Sequence, residues 1–145
     1  MTTTMSKPAL RRVMRTFSGV HAAMYRLTKG AASNPHWPML VLTVTGRKSG
    51  KSRDVPLVYV RDGDSYVVAA AYGGSAVDPA WWLNLKARPR AEVLTDGTRL
   101  TVEAAPATER QRADLWPRLV DMYPYFAEYQ RRTARQIPVV VLTPV

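Results

Sequence analysis

The stretch VPLVYVRDGDSYVVAAA (residues 55–71) predicts two antiparallel strands joined by a tight turn. Its two arms, residues 55–60 and 66–71, are rich in the β-branched and aromatic residues that suit a pleated sheet. Between the arms stands Asp62-Gly63, a dipeptide typical of hairpin turns because both positions tolerate positive φ. Pro56 has no amide hydrogen to donate, so it indicates an edge strand, a strand start or a bulge.

Outward from this hairpin, four more β-prone runs complete a small sheet. They cover residues 39–45, 91–95, 99–104 and 137–142. Asp96-Gly97 predicts a second hairpin between the middle two runs. Six short strands, mostly joined by tight turns, favour a small antiparallel β-barrel.

Three helices are predicted between these strands, which makes the fold α+β and mainly β. Asp78 predicts the N-terminal cap of a helix over residues 79–87. Thr108 begins a capping box, and the helix that it opens should be kinked or split at Pro117. A third helix, aromatic and basic, is predicted over residues 125–135.

The 145 residues suit a single globular unit preceded by a short N-terminal extension. Residues 1–37 are predicted to form a tail and a basic amphipathic helix, and residues 38–145 to form the barrel. The chain has no cysteine and only two histidines, His21 and His36. These counts exclude disulfides, cysteine nucleophiles and thiolate or histidine-rich metal sites. Neither histidine lies near a nucleophile-elbow sequence, so a Ser-His-Asp site is not expected either.

Residues 8–29 carry apolar side chains at helical spacing and basic side chains on the opposite face. Such a helix packs on the core of its own protein or lies on an anionic membrane surface, and both alternatives stay open. No apolar run in the sequence approaches the length of a membrane span. We expect a cytoplasmic protein, with peripheral contact at the inner face of the membrane through this helix as the alternative.

The positive charge is concentrated in the first third of the chain. Ten basic residues and no acidic ones precede Asp54, whereas eleven of each sign are found from Asp54 onward. The whole net charge of +10 therefore comes from residues 1–53. This asymmetry indicates an anionic partner, and the candidates are a phosphate-bearing ligand, a nucleic acid and an anionic membrane.

The most informative basic segment is TGRKSGKSR (residues 45–53). It resembles a nucleotide-binding P-loop, but only three residues separate its glycines, where that motif needs four. A strand follows it, where a P-loop leads into a helix. Two glycines, four cations and three hydroxyls instead suit a loop whose backbone amides and side chains hold a phosphate. The alternative is an ordinary solvated hairpin tip.

Two later segments suit a planar ligand. AAAYGGS (residues 69–75) ends a strand in small residues that let a flat ring approach the backbone. The following helix carries Trp81 and Trp82 on different faces, one expected in the core and the other against a ligand. Within residues 122–130, three aromatic residues at a spacing of three share one helix side. They line a pocket or pack against the core, and the spacing alone leaves both open.

These segments, in this order, resemble the deazaflavin-dependent nitroreductase family. The matching stretches are LTVTGRKSG (42–50), PLVYVRDG (56–63), Gly73-Gly74, PAWWLNL (79–85) and IPVVV (137–141). The resemblance extends over residues 38–144, and it is specific through the order and spacing of its pieces.

The resemblance implies a split β-barrel of the FMN-binding, flavin-reductase type. It also implies the cofactor coenzyme F-420, a deazaflavin with a phosphate and an acidic oligoglutamate tail. The expected phosphate ligands are Arg47, Lys48, Ser49 and Arg53. The deazaflavin and tail would be flanked by Pro56, Ala69, Ala70, Ala71, Tyr72, Trp81, Trp82 and Asn84. The acceptor would be bordered by Tyr123, Phe126 and Tyr129, the candidate catalytic residues.

The sequence departs from the family pattern at two of these positions. Tyr72 stands where the family often has a lysine beside Gly-Gly, which removes one contact to the acidic tail. Phe126 stands where the relative that activates nitroimidazole prodrugs has a tyrosine, which argues against nitroimidazole reduction.

The expected activity is hydride transfer from reduced F-420 to an electron-poor acceptor such as a quinone, an activated alkene or a nitro compound. No protein nucleophile is needed for this chemistry, in agreement with the missing cysteine. Three alternatives are an FMN-binding reductase of the same fold, a non-catalytic cofactor carrier and a nucleic-acid-binding module. The last lacks aromatic residues interleaved with the basic ones on its strands, so no nucleic-acid partner is expected. No metal is expected.

The charge asymmetry and the resemblance together predict the cofactor preference. The protein should bind F-420 more tightly than FMN, since the ten excess cations suit the more acidic ligand. Binding should weaken as salt is raised, because exposed ion pairs are screened. Fluorescence titrations with each cofactor at several salt concentrations measure both effects. Equal affinity for the two, or tighter FMN binding, contradicts the prediction.

Overall fold

The structure is a computed structural model, and it describes residues 37–145. The tail over residues 1–7 and the helix over residues 8–29, with its membrane alternative, lie outside the described residues. So do His21 and His36. The proposed division between residues 1–37 and the barrel falls at the same boundary.

Seven strands form one antiparallel sheet that makes a split barrel. They are β1 (Met39–Thr45), β2 (Ser52–Val58), β3 (Val60–Asp62), β4 (Ser65–Ala69), β5 (Arg90–Thr95), β6 (Thr98–Pro106) and β7 (Val139–Pro144). Their spatial order is β2-β1-β5-β6-β7-β4-β3. The two strands at the ends of this order, β2 and β3, are consecutive in the chain.

The predicted strand over residues 55–60 is divided in the structure, which raises the expected six strands to seven. The division falls at Tyr59, because residues up to Val58 pair with β1, whereas Val60–Asp62 pair with β4. The Tyr59 amide donates to the Pro38 carbonyl at 3.1 Å, which is the last bond in the β1–β2 register. β2 also begins three residues early, since Ser52 pairs with Thr45 across the basic loop. Pro56 lies on an edge strand, as predicted, because β2 pairs with β1 alone.

Two other strand ends differ from the prediction. β4 stops at Ala69 instead of continuing to residue 71, and β7 covers Val139–Pro144 instead of residues 137–142. Both shifts have a tertiary cause. The last β4–β7 pair is Ala69 with Val139, and the chains then diverge toward a turn and a helix.

Within residues 37–145, three helices and one 3-10 turn cover the sheet: α1 (Ala80–Ala87), α2 (Glu109–Met122), α3 (Tyr125–Arg131) and the turn Tyr72–Gly74. The capping box at the start of α2 is confirmed: Thr108 Oγ1 accepts from the Gln111 amide at 3.1 Å, and Gln111 Oε1 accepts from the Thr108 amide at 2.8 Å. Pro117 does not split α2. It lies on the exposed face, where water can satisfy the carbonyl that lost its partner.

The remaining two helices differ from the prediction at their ends. Pro79, rather than Asp78, occupies the N-cap position of α1 and offers no side-chain cap. The Asp78 carboxylate instead accepts from Arg135 at 2.9 Å. α3 ends at Arg131 instead of residue 135, since its next residues turn back toward the sheet.

The sheet separates two hydrophobic cores, and β4 shows how. Tyr66 and Val68 face the core beneath α1, while Val67 and Ala69 face the core beneath α2 and α3. Leu40, Leu42, Val93 and Leu142 belong to the first core, and Leu115, Leu119, Phe126, Ile137 and Val139 to the second. The sheet is therefore apolar on both faces at β4 and β7, and helices cover both faces there, whereas β5 and β6 alternate buried and more exposed residues.

Gly74 is the closest packing point between the turn and α3, and it generates a stability prediction. It has φ +82, and a Cβ there would lie 2.5 Å from the Tyr129 carbonyl oxygen. Gly97 has φ +74 but open space around it, which makes it the matched control. Gly97→Ala should cost about 1–2 kcal/mol from the left-handed backbone alone. Gly74→Ala should cost a further ~1–3 kcal/mol from the steric clash.

Urea unfolding followed by tryptophan fluorescence measures both free energies of unfolding. Equal losses for the two variants would mean that the turn moves away from α3 without cost.

Candidate active site

A cavity of about 720 Å³ lies where β2, the end of β4, the start of α1 and the aromatic residues around α3 meet. Met39 and Val44 of β1 contribute to its walls. Most of its lining is apolar. A cavity of this size is in the range of cofactor and substrate sites.

One wall is the edge strand β2. Val55, Pro56 and Leu57 line the cavity, and Arg53 lines it at the start of the strand. Asp54 is the only carboxylate on the lining among the described residues. Its Oδ1 accepts a hydrogen bond from Thr43 Oγ1 at 2.7 Å, which holds the carboxylate beside the neighbouring strand.

A second wall consists of small residues after β4. Ala69 and Ala71 line the cavity, and their methyl side chains leave room for a flat ring close to the backbone. Tyr72 and Gly73 continue this wall in the left-handed region, with φ 47 and φ 63. The Tyr72 side chain is 62% exposed, so it borders the mouth of the cavity. Ala70 is buried and is not among the lining residues.

The third wall is the start of α1, where Pro79, Ala80, Trp81 and Asn84 line the cavity. Trp81 faces the cavity, whereas Trp82 lies in the core outside it, with the Lys86 ammonium 5.6 Å from its ring centroid. The two adjacent rings therefore have different surroundings, and only Trp81 is placed to contact a ligand.

The basic loop is tied to this wall through Asn84. Asn84 Oδ1 accepts from the Arg47 amide at 3.0 Å and from Arg47 Nη1 at 2.8 Å. The Ser49 hydroxyl accepts from the Lys51 amide at 3.1 Å, so it stabilises the loop itself. Lys48 is exposed. Of the four predicted phosphate ligands, Arg53 lines the cavity, and Arg47, Lys48 and Ser49 lie beyond its lining.

The fourth wall is aromatic and contains Tyr123, Phe126 and Tyr129. Tyr123 follows the end of α2, so the three share a cavity wall but not one helix, which corrects the predicted arrangement. The Tyr123 ring lies 4.9 Å from Phe126 and 6.4 Å from Tyr129, centroid to centroid. Trp37 packs edge-on against Tyr123 at 5.1 Å. These contacts hold the wall rigid.

Burial raises the pKa of the Tyr123 phenol above its ordinary value, and the neighbouring hydroxyls of Tyr129 and Tyr125 raise it further. All three effects penalise the phenolate. Tyr123 therefore remains a neutral hydrogen-bond donor well above neutral pH.

Arg135 is a residue beside the site that sequence reasoning missed. Its guanidinium donates to the carbonyl oxygens of Ala70 at 3.1 Å, Ala71 at 2.7 Å and Ser75 at 2.8 Å. No local motif marks this arginine, because all acceptors of its guanidinium lie roughly sixty residues earlier in the chain.

Other kinds of site are not present among residues 37–145. No group of three or more His, Cys, Asp or Glu residues in this part of the chain is arranged to hold a metal ion. Nor does this part contain a helix with the length and hydropathy required to span a membrane.

A family model described as F420H(2)-dependent quinone reductase matches residues 17–144. An F420H(2)-dependent quinone reductase of Mycobacterium tuberculosis is 39% identical over 132 residues, which cover 86% of this chain and 87% of that protein. A solved F420-H2-dependent reductase (FDR-A) is 38% identical with a TM-score of 0.67, over 72% of this chain and 93% of that one.

The fold extends to distant proteins. HutZ, a heme storage protein of Vibrio cholerae, is only 12% identical yet superposes with a TM-score of 0.59, over 84% of this chain and 90% of its own. At that identity the likeness concerns the barrel alone.

The position of Arg53 generates a binding prediction. Arg53→Gln should weaken binding of F-420 about ten- to a hundredfold, because a charge-assisted hydrogen bond to an anion contributes ~1.5–3 kcal/mol. Lys51→Gln is the matched control, since it removes one charge from the same loop at an exposed position outside the cavity. Fluorescence titration measures both affinities. Similar losses for the two variants would mean that only the overall charge of the loop matters.

Proposed function

The chain belongs to the F420H(2)-dependent quinone reductase family, and we propose that it catalyses hydride transfer from reduced F-420 to a quinone held against Tyr123, Phe126 and Tyr129. One observation carries the proposal. A single cavity joins a cationic rim, a wall of alanines and a wall of phenols. The cofactor and its acceptor would therefore meet in one space.

The residues on the cavity fit the chemistry of a deazaflavin with a phosphate and an acidic tail. Ala69 and Ala71 leave space beside the backbone for a planar ring, and Trp81 offers an aromatic surface. Arg53 offers a planar fork for phosphate oxygens at the rim. The one carboxylate on the lining, Asp54, is held beside β1 by the hydrogen bond from Thr43.

Each part of the wall has a separate task in cofactor binding. Pro56, Ala69, Ala71 and Trp81 would hold the ring, and Arg53 would hold the phosphate. Asn84 orients Arg47 through two hydrogen bonds, so the loop cations stay near the same rim. When bound, F-420 supplies the hydride and its deazaflavin chemistry.

The phenols serve the acceptor. A quinone oxygen gains negative charge as the hydride arrives, and a donor aimed at that oxygen stabilises the charge. Tyr123 suits this task because its raised pKa keeps the proton on the phenol. Tyr129 offers a second hydroxyl on the same wall. The apolar lining from β2 and the buried Phe126 exclude water from the space between the reactants.

We extend the proposal to activated alkenes, which present the same developing charge. Nitro compounds are proposed as slower acceptors, because Phe126 places no hydroxyl at the middle of the aromatic wall. Quinones remain the preferred class.

The phenols generate a kinetic prediction. Wild-type protein should oxidise reduced F-420 in the presence of a quinone. Tyr123→Phe or Tyr129→Phe should lower turnover about tenfold to a hundredfold, because each removes a hydrogen bond of ~1–3 kcal/mol to developing charge. Within the ordinary tyrosine range, at about pH 10, wild-type turnover should show no loss from ionisation of Tyr123, since its raised pKa moves that loss to higher pH. Steady-state oxidation of the reduced cofactor measures both.

Tyr125→Phe is the matched control, since Tyr125 packs on Tyr123 at 5.3 Å but is exposed and outside the cavity lining. Its turnover should equal that of wild type. If the two cavity variants behave like this control, the aromatic wall only packs and another group stabilises the acceptor. If wild type transfers no hydride to any quinone, the proposed function is wrong.

A further inference from the structure

The Arg135 guanidinium fastens a segment of the chain that has few other restraints. It makes four hydrogen bonds to the segment from Ala70 to Asp78: three to carbonyl oxygens and one, at 2.9 Å, to the Asp78 carboxylate. The Arg135 side chain is only 15% exposed. A desolvated guanidinium with this many acceptors is held rigidly, and it holds them rigidly in return.

The fastened segment is the small-residue wall of the cavity. β4 ends at Ala69, and one further bond in the same register, from the Ala70 amide to the Pro138 carbonyl at 2.9 Å, is the last that the sheet supplies. Three successive residues, Tyr72, Gly73 and Gly74, take positive φ. The turn itself keeps only two backbone bonds, from Gly74 to Ala71 at 2.9 Å and from Ser75 to Tyr72 at 3.0 Å. The hydrogen bonds from Arg135 thus restrain the segment where sheet hydrogen bonds no longer do.

The backbone of Arg135 is tied in turn to α3. Gln130 Nε2 donates to the Arg135 carbonyl at 2.8 Å, and Gln130 Oε1 accepts from the Ile137 amide at 3.0 Å. Gly74 also packs closely on the backbone of Tyr129. The wall that faces the cofactor and the helix that carries part of the aromatic wall are therefore connected through one short segment.

We propose that Arg135 is a positioning residue that fixes the cofactor wall relative to the acceptor wall. The identity of the two ligands rests on the proposed function. The hydrogen-bonded connection between the two walls does not depend on it. Four hydrogen bonds occupy most of the five donors of a guanidinium, and Asp78 balances its charge. Arg135 therefore acts through the wall that it holds and not as a direct ligand of an anion.

Arg112 provides a matched control. Its guanidinium donates to the Ile137 carbonyl and lies 5.0 Å from the Trp116 ring centroid, so it stabilises the neighbouring segment without touching the cavity wall. Arg112→Met and Arg135→Met each remove one partly buried guanidinium from the same region. Only Arg135→Met also removes hydrogen bonds to the small-residue wall of the cavity.

Hydrogen exchange of the cofactor-free protein tests the connection without any activity. Arg135→Met should speed the exchange of the Gly74, Ser75 and Arg132 amides, which close the turn and the end of α3, while the amides of β5 and β6 exchange as in wild type. Arg112→Met should leave the Gly74 and Ser75 amides unchanged. Unchanged exchange at Gly74 and Ser75 in Arg135→Met, or faster exchange throughout the sheet, overturns the proposal.

Ligand binding tests the consequence. Arg135→Met should raise both the Kd for F-420 and the KM for the quinone about ten- to a hundredfold, because small misplacements of binding groups have effects of this size. Arg135→Lys should recover part of the loss, since one ammonium can reach some of the same carbonyls. Arg112→Met should bind F-420 as wild type does.

Two results would overturn the positioning role: wild-type affinity in Arg135→Met, or an equal loss of affinity in Arg112→Met. The proposed function fails separately, if wild-type protein itself does not bind F-420. In that event the exchange of Gly74 and Ser75 still decides whether Arg135 supports the wall.

Discussion

The structure depends on one constraint: a single antiparallel sheet in which β4 and β7 carry apolar side chains on both faces. β4 alternates between the two cores, so neither face can be left to solvent. α1 covers one face, and α2 with α3 covers the other. The cavity forms where this coverage ends, beside the edge strand β2 and beyond the last residue of β4. The ligand site thus lies where the helices no longer cover the sheet, and its walls contain apolar residues of both cores.

Much of the fold could be predicted because local chemistry decides it. Asp96-Gly97 turns the chain between β5 and β6, and the Thr108 capping box begins α2. The turn after β3 falls at Gly63-Asp64, one residue later than the predicted Asp62-Gly63, because Asp62 pairs with Ser65. The errors have distant causes. Asp78 resembles a helix cap, but it binds an arginine 57 residues away. Tyr59 belongs to a β-prone run, yet the run is divided there, because Val58 pairs with β1 and Val60 pairs with β4. Neither partner is visible in the local sequence.

The candidate site shows the same division. Charge and small residues indicated the kinds of wall, since cations suit phosphates and alanines suit flat rings. Which of the predicted site residues face the cavity is decided by three-dimensional packing. Arg53 lines the cavity while Lys48 does not, and Trp81 lines it while Trp82 is core. Asn84 was expected to contact a ligand, and in the structure its amide oxygen also orients Arg47. Arg135 carries no sequence signal at all, because three of its guanidinium's acceptors are backbone carbonyls and the fourth, Asp78, lies 57 residues away.

The turn at the cavity mouth has an evolutionary consequence. Tyr72 takes φ 47 with an exposed side chain, so a substitution there meets no packing clash, and its backbone strain is least for Gly, Asn and Asp and greatest for β-branched residues and Pro. Two residues later, Gly74 has no room for even a methyl group. Position 72 can therefore accept a range of side chains at the cavity mouth, while position 74 cannot. A single substitution at position 72 can therefore change ligand preference without destabilising the fold, provided that Gly74 is kept.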